Sequence, residues 1–121
     1  ARQAARGLLL EHPDINVLVG FNEPLAVGTA QAVDELELNG QVREIAFDTN
    51  PVCVELLQKG AVSALIVQNP YAMGYLGVET AWRSLQGERF DASSLINTPT
   101  TTITRETMFT IESQKAIFSF D

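Results

Sequence analysis

The stretch VLVGFNEP, from Val17 to Pro24, joins a run of apolar residues to a polar side chain and then to a proline. The same order recurs in EIAFDTNP, residues 44–51, and in ALIVQNP, residues 64–70. Each apolar run is short and nearly continuous, which is typical of a strand buried on both faces of a parallel sheet. Each proline suits the first turn of a helix. We therefore predict strands at 15–21, 42–48 and 61–68, each followed by a helix.

The segments around these strands carry helical patterns. Apolar residues recur at helical spacing in 1–13, 23–40, 50–60 and 69–87, and each segment ends at a proline or a glycine. The resulting order, α-β-α-β-α-β-α, requires right-handed crossovers and indicates an α/β fold, a three-layer parallel sheet with helices on both faces. Residues 90–108 are predicted to be extended, and 109–121 are compatible with a strand or a short helix.

The composition excludes several classes of protein. The chain has 121 residues, of which 45% are hydrophobic and 19% charged, as in an ordinary globular domain. The net charge is −7 and the eight Lys and Arg are scattered, so direct contact of this segment with nucleic acid is not expected. The apolar runs are shorter than the roughly 20 residues of a membrane span. Cys53 is the only cysteine, and we expect a small buried apolar residue there.

Three polar residues follow the predicted strands: Asn22, Asp48 and Gln68. Open parallel sheets bind ligands beyond the carboxyl ends of their strands. Two carboxamides that donate and accept, with one carboxylate that accepts, suit the neighbouring hydroxyls of a monosaccharide or related polyol. Helix capping is the alternative for Asn22 and for Asp48. It explains Gln68 poorly, because the adjacent Asn69 is the better N-cap.

The remaining chemistry-bearing residues indicate structural roles. Phe21 and Phe47 each precede a candidate site residue, and strand alternation predicts that both point into the core, with stacking on a ligand as the alternative. The single histidine and three glutamates are predicted on the surface: His12, Glu11, Glu35 and Glu37. The sequence contains no Ser/His/Asp set, no metal-ligand spacing and no Gly-rich phosphate loop. We therefore predict no catalytic residue, no cofactor and no metal.

Four segments together resemble one family. VLVGFNEPLAVGTAQAV (17–33), EIAFDTNP, ALIVQNPYAMGYLGVETAWRSLQGE (64–88) and NTPTTTITRE (97–106) are similar to the C-terminal half of type I periplasmic sugar-binding proteins, the ribose-binding-protein-like group. The resemblance runs over nearly the whole chain. It implies two α/β lobes joined by a hinge, with a monosaccharide bound between them. It also implies that Asn22, Asp48 and Gln68 contact that ligand.

The chain departs from the family pattern near these residues. Ala46 and Thr49 replace the two glycines usual around the aspartate, and Glu23 stands where aspartate is common. The resemblance divides the chain into 1–68, the core of the C-terminal lobe, 69–95, a helix that would pack on the N-terminal lobe, and 96–121, the hinge return and tail. We expect the chain to begin partway through a longer protein.

Without the other lobe, one helix would lack a partner. The apolar side chains predicted on its face are Met73, Leu76, Val78, Ala81, Trp82 and Leu85. Exposed patches of that size are uncommon in soluble proteins, so we expect a homodimer, a domain swap or a rearranged helix.

By the resemblance, the leading hypothesis is the receptor of an ABC-type sugar uptake system that closes its lobes around the sugar. Its partner would be a membrane permease, and its location extracytoplasmic, in the periplasm or lipid-anchored at the cell surface. The same fold also serves as the effector-binding domain of lactose-repressor-like regulators, which would be cytoplasmic, and of sensor kinases. A small α/β enzyme with Asp48 as general base is an alternative from another class, weakened by the lack of a partner acid, histidine or metal set.

Overall fold

A four-stranded sheet lies at the centre of the structure, a computed structural model that describes residues 1–91, 93 and 95–118. Its strands are β1 (Val17–Gly20), β2 (Arg43–Phe47), β3 (Ala64–Val67) and β4 (Thr101–Thr104). The described helices are α1 (Arg2–Glu11), α2 (Glu23–Glu35), α3 (Pro51–Lys59), α4 (Pro70–Leu85) and α5 (Ile111–Phe118). The mixed α/β class, with helices flanking a sheet, is as predicted.

The strand order is β1-β2-β3-β4, and the first three strands are parallel. The three predicted strands are parallel, as predicted. The fourth strand lies in the segment predicted only to be extended and is antiparallel to β3. Thr101, the first residue of β4, pairs with Val67, the last residue of β3. The chain thus leaves the carboxyl end of β3 and enters β4 at the same end of the sheet, so this connection does not cross over the sheet.

Helix α2 contacts both the sheet and two other helices. It packs on α1, on α3 and on strands β1 and β2. The core beneath the helices contains Ala46, Cys53, Leu57, Leu65 and Ile103, all fully buried. Burial of Cys53 confirms its prediction as a small apolar residue. Val17 and Val19 alternate with the helix-facing residues of β1 and are 43% and 40% exposed.

Two glycines permit close approach of α2 to its neighbours. A Cβ at Gly20 would lie 2.7 Å from both the backbone nitrogen and the Cα of Ala26, in the first turn of α2. A Cβ at Gly28 would lie 2.7 Å from the backbone nitrogen of Arg2, at the start of α1. Real Cβ atoms do not approach backbone this closely. Gly20 therefore allows the first turn of α2 to sit directly against the end of β1.

The other helices agree with the predicted segments, with differences at their ends. Helix α2 ends at Glu35, before the predicted stop at Gly40, and Glu37 takes a left-handed conformation with φ 55°. Residues 111–118 form a helix, which decides between the two predicted alternatives; 119–121 and the predicted extended residues 92 and 94 lie outside the described residues. In the described part of the chain, every helix is too short or too polar to cross a membrane.

Candidate functional site

The three predicted site residues follow three neighbouring parallel strands. Strand β1 ends at Gly20, β2 at Phe47 and β3 at Val67. Asn22, Asp48 and Gln68 come one or two residues later. Because the strands are parallel and in register, their carboxyl ends meet at one edge of the sheet. This edge is where ligands bind in open α/β sheets.

The structure brings Asp48 and Gln68 into contact. The Gln68 Nε2 amide donates a hydrogen bond to Asp48 Oδ1 at 3.3 Å, and both residues are half-buried. The backbone N–H of Asp48 donates to the carbonyl of Ile66 at 3.1 Å, which extends the pairing of β2 and β3 by one residue. The backbone of Asp48 is therefore held by β3, and its carboxylate is held by the side chain of Gln68. The carboxylate retains lone pairs for further donors.

Asp48 has an uncommon backbone conformation. Its φ is 75°, in the left-handed region that residues other than glycine rarely adopt. Aspartate and asparagine tolerate this region better than other side chains do. Such conformations cost free energy and concentrate at functional sites. The left-handed turn after β2 directs the chain away from the sheet before α3 begins at Pro51.

Asn22 has the structural role that the capping alternative proposed. Its Oδ1 accepts a hydrogen bond from the backbone N–H of Leu25 at 3.1 Å, which caps α2. The side chain is exposed. Within the described residues, no hydrogen bond joins Asn22 to Asp48 or Gln68, and none involves its Nδ2 group. The cap uses only the oxygen of this carboxamide, so among the described residues its amide hydrogens have no partner.

The capping alternative for Asp48 is wrong. Asn50 caps α3, accepting from the backbone N–H of Cys53 at 2.9 Å. Asn69 caps α4, accepting from the backbone N–H of Ala72 at 2.8 Å. Both asparagines stand directly before the proline that begins the helix, the position from which a side chain reaches the first unpaired N–H groups. Asp48 and Gln68 therefore do not cap α3 and α4.

A cavity adjoins the Asp48–Gln68 pair. Its volume is about 400 Å³, within the usual range for small-molecule sites. The lining residues come from the turn after β2 and from the junction of β3 with α4: Asp48, Thr49, Asn50, Val67, Gln68, Pro70 and Met73. The lining thus combines polar side chains with apolar ones from Val67, Pro70 and Met73.

Two aromatic rings, Phe21 and Phe47, lie at the same edge, and both were predicted to point into the core. Phe21 is 66% exposed, so the prediction that it points into the core is wrong. The chain leaves the sheet after Gly20, and strand alternation no longer sets the direction of the next side chain. The rings of Phe21 and half-buried Phe47 have centroids 5.5 Å apart. The available signal was the repeated order of an aromatic residue directly before a polar residue at two neighbouring strand ends.

The other reactive or charged residues considered have no site-forming arrangement among the described residues. Burial raises the pKa of the Cys53 thiol, with the hydrogen bond from Asn50 opposing the rise. Asn50 Nδ2 donates to Cys53 Sγ at 3.3 Å. Among the described residues, no three His, Cys, Asp or Glu side chains are grouped to hold a metal ion. His12, Glu11, Glu35 and Glu37 are exposed, as predicted.

The sequence matches one family over most of its length. Residues 1–89 match the model of the periplasmic binding protein domain. The chain belongs to this family. The D-ribose/D-allose-binding protein of Pseudomonas aeruginosa is 28% identical over 102 residues, which are 83% of this chain and 32% of that protein. The ribose import binding protein RbsB of Escherichia coli is 32% identical over 87 residues, 72% of this chain and 29% of that protein.

Solved structures show the same fold. A carbohydrate transporter solute binding protein from Agrobacterium radiobacter, in complex with D-arabinose, superposes with a TM-score of 0.76 at 29% identity. The match covers 96% of this chain and 39% of that one. The architecture is therefore that of type I periplasmic sugar-binding proteins, and this periplasmic binding protein domain spans about a third of the length of the relatives that it matches.

Proposed function

We propose that this chain is part of an extracytoplasmic receptor for a monosaccharide or related polyol. The receptor would deliver its ligand to the membrane permease of an ABC-type sugar uptake system. Relatives are named for ribose, allose and ribose import, and a structural neighbour holds D-arabinose. The single observation that carries the proposal is the Asp48–Gln68 pair at the carboxyl edge of the sheet. The relatives are named as binding proteins, and we propose binding rather than catalysis here.

Each residue has a distinct task in this proposal. Asp48 accepts hydrogen bonds from two sugar hydroxyls, and its charge makes those bonds stronger than neutral ones. Gln68 orients the carboxylate through Nε2 and presents its carbonyl oxygen to a hydroxyl. Asn22 donates from Nδ2 while Oδ1 caps α2. The exposed ring of Phe21, beside Phe47, offers an apolar surface to the C–H face of a sugar ring.

The division of the chain belongs to the same proposal. We assign 1–68 to the core of a C-terminal lobe, 69–95 to a helix that packs on an N-terminal lobe, and 96–121 to the hinge return and tail. Two observations support this division. Helix α4 has no buried residue within this chain, and β4 returns antiparallel beside β3 after it.

The test is a thermal melt of the intact protein against pentoses, hexoses and polyols, beginning with ribose, allose and arabinose. A sugar at about 100 times its Kd should stabilise the native state by roughly 2.7 kcal/mol. Asp48→Asn is the decisive variant, because asparagine tolerates the left-handed φ of this position and keeps the side-chain shape. We expect the variant to fold and to lose most of the sugar-induced shift.

The matched control is Asp14→Asn, an exposed aspartate in the turn before β1, at the opposite end of the strand. It should keep the full shift. A panel without any stabilising sugar would contradict the sugar-receptor proposal. A full shift in Asp48→Asn would instead remove Asp48 from the site while leaving the receptor function in place.

A further inference from the structure

Glu44 is a fully buried acidic residue in the middle of β2. Its side chain points to the helix side of the sheet, as Ala46 does two residues later, and meets Thr29 of α2. Glu44 Oε1 lies 2.5 Å from Thr29 Oγ1. The other oxygen, Oε2, is buried and has no hydrogen-bond partner among the described residues. A buried carboxylate with half of its charge unpaired is costly.

The hydrogen bonds of Thr29 indicate which group carries the proton. Thr29 Oγ1 lies 2.8 Å from the carbonyl oxygen of Leu25 and 3.0 Å from that of Ala26, both in the preceding turn of α2. A hydroxyl has one hydrogen to donate. If that hydrogen goes to a helix carbonyl, the short contact with Glu44 needs a hydrogen from the carboxyl group. A neutral Glu44 supplies it and leaves only an uncharged carbonyl oxygen without a partner.

Among the described residues, no positive charge is paired with Glu44. The ion pairs of the described residues join Arg2 to Glu35, Lys59 to Glu55 and Arg83 to Glu88, all on the surface. From α2, Glu44 faces Thr29, and from α3 the titratable group that it influences is Cys53, whose pKa it helps to raise. Burial raises the pKa of Glu44 from 4.5 to about 7. A hydrogen bond that Thr29 donates to the ionised carboxylate would oppose this rise, whereas one that the neutral acid donates to Thr29 would add to it.

We propose that Glu44 is a proton-dependent latch between β2 and α2. As a neutral acid it donates to Thr29 and holds the helix against the strand; when it ionises, it can no longer donate and a charge is left in the core. The latch joins the elements that position Asp48 and Asn22. The proposal does not depend on sugar binding.

The direction of the pH effect follows from the pKa. Because the pKa of Glu44 is higher in the folded than in the unfolded state, the folded state binds this proton more tightly. The contribution to stability is fully present below about pH 4.5 and is lost as the pH rises to about 7. A rise in pKa from 4.5 to about 7 corresponds to an increase of about 300-fold in the unfolding equilibrium constant.

The experiment is equilibrium urea unfolding of the intact protein from about pH 4 to about pH 9, comparing wild type with Glu44→Gln. Glutamine donates from Nε2 to Thr29 and does not titrate. We expect the unfolding equilibrium constant of wild type to rise relative to that of Glu44→Gln as the pH increases to about 7, by up to about 300-fold. Above about pH 7 the ratio of the two constants should stay the same. Glu11→Gln, at the exposed end of α1, should track wild type. A pH-independent ratio between Glu44→Gln and wild type overturns the latch.

A second measurement keeps the proposal testable if Glu44→Gln does not fold. The ¹³C resonance of the Glu44 carboxyl carbon is titrated by NMR in wild type and in Thr29→Val. A wild-type transition near pH 7 supports the latch, whereas one near pH 4.5 overturns it. If Glu44 is the donor, loss of the Thr29 oxygen disfavours the neutral acid and lowers the pKa of Glu44. A higher pKa in Thr29→Val would mean that the hydroxyl donates to a carboxylate, which also overturns the proposal.

Discussion

At the scale of the residue, Asn22 combines an observed structural role with a proposed binding role in one side chain. Asn22 caps α2 with one end of its carboxamide and leaves the other end available. Polar residues at the strand ends could be predicted because an apolar run shows where each strand stops. The positive φ of Asp48 and the exposure of Phe21 could not, because both depend on how the chain turns after leaving the sheet.

Asn22→Ser separates the two roles of Asn22. Serine caps helices about as well as asparagine, so the free energy of unfolding should change by less than about 0.5 kcal/mol. The amide donor is lost, so sugar affinity should fall by roughly five- to tenfold, the effect of about 1 kcal/mol. Calorimetric titration of the intact protein and urea unfolding measure the two effects.

Asn22→Ala serves as the comparison, because it removes cap and donor together and should cost about 1 kcal/mol of stability as well as affinity. Wild-type affinity in the serine variant would show that Asn22 is a cap alone.

At the scale of the element, local patterns predicted more than non-local contacts did. The three predicted strands contain the observed ones, and the Asn-Pro pairs at 50–51 and 69–70 begin helices with asparagine caps. The direction of β4 and the burial of Glu44 against Thr29 were missed. Both depend on which distant segment lies alongside a strand, and hydrophobic periodicity carries no such information.

The contact of α2 with the end of β1 leaves no room for a side chain at Gly20. In Gly20→Ala, the new methyl group would lie 2.7 Å from backbone atoms of Ala26, and backbone cannot rotate away as a side chain can. We expect a loss of about 1–3 kcal/mol in the free energy of unfolding, measured by urea denaturation.

Gly74→Ala in α4 is the matched control, since its Cβ meets nothing within 4 Å. Alanine in a helix interior should stabilise the chain by about 0.5–1 kcal/mol. Equal effects of the two substitutions would show that the close approach at Gly20 is not a constraint.

At the scale of the whole molecule, α4 is the element least integrated into the fold. None of its residues is buried, and Val78, Trp82 and Leu85 are 74%, 62% and 84% exposed. The apolar face predicted from its periodicity is present and uncovered in this chain. The sequence could indicate that face, but what covers it depends on contacts beyond these residues.

We expect the 121-residue chain, studied alone, to self-associate through α4. Light scattering over a range of concentrations measures the effect, and Trp82→Lys should raise the dissociation constant about tenfold or more, because aromatic residues dominate such contacts. Leu10→Lys alters a similarly exposed apolar residue, 57% exposed, on α1 and should have little effect. A monodisperse monomer at high concentration would contradict the expectation.

The strand order also determines how far the chain must loop back to build each part of the sheet. Val19 pairs with Ile45, 26 residues later, and Ile45 with Ala64, 19 residues later, whereas Leu65 pairs with Ile103, 38 residues later. Closing a longer loop costs more entropy, and distant pairings form more slowly. We therefore expect the three strands that precede Asn22, Asp48 and Gln68 to assemble before β4 docks. We expect the edge that carries the candidate site residues to belong to the earlier-folding part of the chain, and β4 to exchange its backbone amide hydrogens with water before the other strands do.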